Sequence, residues 1–77
     1  MNTFIATFYS HFGAMSYCKA IKEKGINAKL MPVPRRVSSS CGTCVRYEHS
    51  FVIDSDENEL ECIYLEDNGE LECVLTK

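Results

Sequence analysis

Cys41 and Cys44 stand two residues apart around Gly42 and Thr43, directly after Ser38, Ser39 and Ser40, with Arg35 and Arg36 upstream and Arg46 downstream. Two thiols at this spacing can close a small disulfide, share a metal ion, or let one sulfur attack a substrate while the other resolves the adduct. The thiolate is the nucleophile, and nearby cations and hydrogen-bond donors favour it. Arg35, Arg36 and Arg46 can supply the cations. The three serine hydroxyls and the amides around Gly42 can make an anion-holding concavity, because glycine permits backbone angles that turn successive N–H groups towards one point. On this reading Cys41 is the nucleophile, and Cys44 resolves a persulfide, selenosulfide or mixed disulfide. The competing reading is a polar serine loop edged by solvated arginines.

A structural zinc site would recruit Cys62, Cys73 or His49 to Cys41 and Cys44. Zinc ribbons present two tight ligand pairs, whereas Cys62 and Cys73 lie far apart in apolar segments, so neither a metal nor a cofactor is expected. Cys18, Cys62 and Cys73 read as core cysteines acting as small hydrophobes. His11 and His49 have no placed carboxylate beside them and read as surface or capping residues. No P-loop, dinucleotide fingerprint, serine-nucleophile elbow or paired-histidine zinc motif occurs.

The elements that must position the thiols come from a chain of 77 residues, 45% of them apolar, which is enough for one domain spanning 1–77. It should fold alone or as a small homo-oligomer. No apolar run approaches a membrane span and the N-terminus does not resemble a secretory signal, so no membrane partner and a cytoplasmic location are expected. The odd cysteine count, five, fits a reducing compartment better than a stapled secreted fold. Residues 1–47 hold seven Lys/Arg against Glu23, and residues 48–77 hold ten Asp/Glu against Lys77, so the net charge of −3 hides a dipole. The acidic half and the lack of a stacking motif argue against nucleic acid.

Thr3 to Tyr9, β-branched and aromatic, predicts a strand. Ser10 caps a helix with Ala14, Tyr17, Cys18 and Ile21 on its apolar face, ended by Gly25. Asn27 to Met31 is a second strand stopped by Pro32 and Pro34. The CxxC motif falls on the long loop that follows and on the start of a third strand, Thr43 to Tyr47, with Cys41 the more exposed thiol. Beyond it, Ser55 as cap, Asp56, Glu57 and Glu59 in the first turn, and Leu60, Ile63 and Tyr64 at helical spacing favour a second helix, followed by a strand at Leu71 to Thr76. Asn68-Gly69 between two apolar segments offers a rival hairpin. The preferred order is β-α-β-β-α-β, an α+β ferredoxin-like domain with helices on one face of an antiparallel sheet.

Met31-Pro32-Val33-Pro34-Arg35, then Ser38-Ser39-Ser40-Cys41-Gly42, then Val45-Arg46-Tyr47, together with Phe8 to Met15, resemble the selenium/sulfur carrier protein-like family, a small bacterial domain of unknown function. The resemblance implies that Ser38, Ser39, Ser40, Cys41 and Gly42 form the active segment and that Arg46 fills the family's basic position. Many relatives have a small apolar residue where this chain has Cys44. The expected function is a sulfur or selenium carrier that holds the atom on Cys41 and passes it between donor and acceptor proteins, more a carrier than a stand-alone enzyme. The alternative is a protein–protein interaction or redox-sensing regulatory module.

Overall fold

The computed structural model describes residues 2–37, 41–53 and 59–76. Its elements run β1 (Asn2–Phe8), α1 (His11–Glu23), β2 (Ala28–Pro32), β3 (Thr43–His49), β4 (Leu60–Asp67) and β5 (Glu70–Thr76). The strands form one sheet in the order β2-β3-β1-β4-β5, and every neighbouring pair is antiparallel.

The α1 helix is set by its ends and its apolar stripe. Ser10, in an extended conformation, accepts a hydrogen bond from the Gly13 amide through its side chain, a cap worth roughly 1 kcal/mol. At the other end Gly25, at φ 83°, donates to the Lys22 carbonyl while Ile26 donates to that of Ile21, the paired closure of a Schellman motif. Between them Ala14, Tyr17, Cys18 and Ile21 are buried. Opposite residues of an antiparallel pair share a face, so the register places Phe4, Ala6 and Phe8 of β1 with Tyr47 and Val45 of β3 and with Ile63 and Leu60 of β4. These residues and the α1 stripe make the principal core. Its centre is aromatic: the Phe8–Tyr17 and Tyr17–Tyr47 rings lie 5.1 and 6.0 Å apart. The Tyr17 hydroxyl donates to the Ile53 carbonyl at 2.7 Å, and the Ile53 amide donates to the Tyr47 hydroxyl at 3.2 Å, so the chain leaving β3 is fastened to this core.

The other face of the sheet is also covered. Ile5, Thr7 and Cys44 point away from α1 and are at most 2% exposed. The loop leaving β2 begins beside Thr43, at the Phe8 end of β1, whereas Gly69 lies past Asp67, at the Thr3 end of the neighbouring ribbon. Arg36 in that loop nevertheless donates to the Gly69 carbonyl. The bond therefore joins opposite ends and opposite edges of the sheet, and residues 33–37 lead across the helix-free face. Val37, 7% exposed and outside the helix-side core, is their buried apolar residue there.

The β-α-β-β-α-β ferredoxin-like expectation is corrected. Its first four elements are present, but Leu60, Ile63 and Tyr64 lie in β4 and not in a second helix, and α1 is the one helix among the described residues. The reason is the turn: Asn68 at φ 52° and Gly69 at φ 82° give the two left-handed residues of a type I′ hairpin, which pairs β4 with β5 over their lengths. The proposed helix start at Ser55, Asp56 and Glu57 lies outside the described residues. Cys73 was also misplaced as a core residue: it is exposed, and Cys62 is half-buried, whereas Cys18 is buried.

Candidate functional site

Cys41 occupies the end of the β2–β3 loop. The Val33 amide donates to the Gly42 carbonyl at 3.1 Å beside the Pro32↔Thr43 pair, which closes the base of the loop. Gly42, at φ 74°, makes the bend that a side chain would strain. Cys41 is partly exposed and packs against the helix-side core, with its Sγ directed to the Thr43 carbonyl at 3.4 Å. The Thr43 hydroxyl in turn meets His11 Nδ1 at 3.1 Å. His11 opens α1, so the positive end of that helix dipole abuts the loop two residues from Cys41.

Cys44 differs from its partner. It faces the helix-free side, is fully buried, and directs its Sγ to the Pro32 carbonyl at 3.7 Å. Burial, with a smaller repulsion from Cys41, pushes its thiol up to about 11. Roughly one molecule in ten thousand then carries a Cys44 thiolate at neutral pH. As it stands Cys44 is a covered, protonated thiol.

Two of the three arginines are engaged away from Cys41. Arg36 reaches the β4–β5 turn, Arg46 lies on the helix-free face 3.5 Å from Glu66, and Arg35 is exposed. Ser38, Ser39 and Ser40 lie outside the described residues. Among the described residues, no group of three or more His, Cys, Asp and Glu is placed to hold a metal ion.

The residue that the sequence reading missed is His11. It is a surface residue, as expected, but its place beside the motif is new, and the signal was present: a cap at Ser10 puts His11 at the C-terminal end of β1, where a β2–β3 loop must also arrive if β3 pairs with β1. Next to it the surface turns apolar. Phe12 is 77% exposed, and Phe12, Met15, Cys18 and Leu30, with Lys19 and Lys22, line an open groove of about 510 Å³ between α1 and β2.

Compared with protein families, residues 3–74 match the family described as "Putative Se/S carrier protein-like". The chain belongs to this family. Comparisons with curated proteins and with solved structures found no match. Family membership speaks for carriage of sulfur or selenium and for dealings with partner proteins. No helix among the described residues is long and apolar enough to cross a membrane.

Proposed function

We propose that this chain carries sulfur or selenium as a persulfide-type adduct on Cys41 and hands it to an acceptor protein. The observation that carries the reading is the contrast between the two thiols of one motif: Cys41 is open to a partner and Cys44 is sealed. In loading, Cys41 attacks the outer sulfur of a donor persulfide. The donor S–S bond breaks, the donor leaves as its thiol, and a new S–S bond forms on Cys41 with no net oxidation. In delivery an acceptor nucleophile takes the outer atom and Cys41 leaves as thiolate.

Cys44 supplies a second exit: its attack on the Cys41 sulfur forms the Cys41–Cys44 disulfide and expels the outer atom as hydrosulfide. Because Cys44 is covered and protonated, that exit is slow until the loop moves, and the cargo survives to meet its acceptor. Arg35 and the serines Ser38, Ser39 and Ser40 remain candidates for holding the cargo anion. The positive end of α1, reached through Thr43 and His11, favours negative charge on the outer atom. Donor and acceptor proteins would meet the chain at the same end, with an apolar anchor in the groove beside Phe12 and acidic groups opposite Lys19 and Lys22. The cytoplasm, with its reduced thiols, is the compartment this chemistry suits.

The test uses inorganic polysulfide as the donor, followed by digestion and peptide mass mapping. Added sulfur is expected on the Cys41 peptide and is expected to vanish in Cys41→Ser. Equal uptake by Cys41→Ser overturns the proposal. Exposed Phe12 and Met15 favour the second reading, a docking or redox-sensing module, which is supported if the parent takes up no sulfur but Phe12→Ser abolishes binding of a captured partner.

A further inference from the structure

The β4–β5 pairing is interrupted. Ile63 faces Leu75 and Tyr64 faces Cys73, so Val74 is an extra residue on β5. In an unbroken strand Cys73 and Thr76, three apart, point to opposite faces. One inserted residue shifts the alternation, so that Cys73, opposite Tyr64, and Thr76, opposite Cys62, share the helix-free face. The contacts agree with the register: Cys73 Sγ lies 3.1 Å from Thr76 Oγ1. Cys62 stands directly opposite Thr76 in the register. Two thiols thus flank one residue, Thr76, and converge on an edge ribbon separate from Cys41.

From this convergence we propose that Cys62 and Cys73 form a second, redox-active thiol pair that reacts with low-molecular-weight disulfides. Exposure sets the order. Cys73 is exposed, while Cys62 is half-buried, and burial and the neighbouring Cys73 both push the Cys62 thiol up. Cys73 attacks one sulfur of the disulfide; that S–S bond breaks, the first thiol leaves with the proton lost by Cys73, and a mixed disulfide remains. Cys62 then attacks the Cys73 sulfur and expels the second thiol. The protein loses two protons and two electrons to the small disulfide, which becomes two thiols.

Diagonal neighbours on adjacent strands stand about 7–8 Å apart between Cα atoms, and a disulfide spans about 4.4–6.8 Å. Closure therefore draws the end of β5 towards β4. The bulged edge strand β5, with mostly exposed side chains, has little packing to resist this. Closure also staples the ribbon that receives the Arg36 tether.

The experiment exposes full-length chain carrying Cys41→Ser and Cys44→Ser to glutathione disulfide and maps the products by mass. The expected product has lost two hydrogens and contains a Cys62–Cys73 linked peptide. Adding Cys62→Ser is expected to stop the reaction at one glutathionyl group on Cys73, and adding Cys73→Ser to prevent both products. A glutathionyl group that persists on Cys73 with Cys62 present, a link to Cys18, or no reaction at all overturns the proposal. None of these outcomes depends on sulfur carriage by Cys41.

Discussion

Cys44 shows how one residue couples stability to chemistry. Its thiol is raised from an ordinary 9.0 to about 11 in the folded chain, mainly by burial. A raised thiol stabilises the fold fully below its unfolded value, and that contribution is lost as pH climbs through the folded value. The shift corresponds to about 2–3 kcal/mol at most. Urea midpoints are therefore expected to fall between about pH 9 and pH 11, with Tyr47, Tyr64 and Cys62, also raised, acting in the same direction. Cys44→Ala is expected to flatten the lower part of that decline. An equally steep decline in Cys44→Ala would show that the thiol does not hold the pH dependence. A second residue, His11, belongs beside Cys41 through Thr43 although the sequence presents it as an isolated histidine.

At the scale of elements, close approaches and turns decide which residues cannot change. A Cβ on Gly13 would collide with the Glu59 side chain where the first turn of α1 meets the start of β4. Gly13→Ala is expected to destabilise the fold by about 1–3 kcal/mol, read from chemical unfolding, despite its better helix propensity. Gly69→Ala, at φ 82°, is expected to cost about 1 kcal/mol through the hairpin turn. The first four elements were legible in the sequence because of their punctuation: Ser10 and Gly25 at the ends of α1, Pro32 as the last residue of β2 and Pro34 just past it. The second half was not, because Leu60, Ile63 and Tyr64 satisfy a helical spacing over a few residues while also fitting a strand. Asn68-Gly69 was the deciding signal, since a type I′ turn commits both flanks to pairing. That Cys73 and Thr76 share a face was invisible in the letters, because a bulge at Val74 shifts the strand's alternation without any glycine or proline to announce it. The scattering of the arginines was hidden as well: sequence proximity placed Arg36 and Arg46 near Cys41, and tertiary pairing with Gly69 and Glu66 took them elsewhere.

Across the whole molecule, Cys44 is buried on the helix-free face, with its thiol directed to the carbonyl of Pro32, where the segment that carries Arg36 begins. Arg36 fixes that segment to the far turn of the acidic half. Arg36→Ala is expected to leave stability within about 1 kcal/mol but to speed alkylation of Cys44 measurably, with Cys18 as the buried internal reference. An unchanged Cys44 rate would place its cover elsewhere. The charge asymmetry runs along the chain, with a basic first half that carries Cys41 and an acidic second half that carries β4 and β5. The central claim is that Cys41 bears the cargo and Cys44 limits its lifetime. Its most direct test is intact mass over time after incubation with a persulfide-generating desulfurase and cysteine, comparing parent, Cys41→Ser and Cys44→Ser. The account predicts one added sulfur on the parent, none on Cys41→Ser, and a longer-lived adduct on Cys44→Ser. Sulfur uptake by Cys41→Ser equal to that of the parent, or no uptake by any of the three, would contradict it.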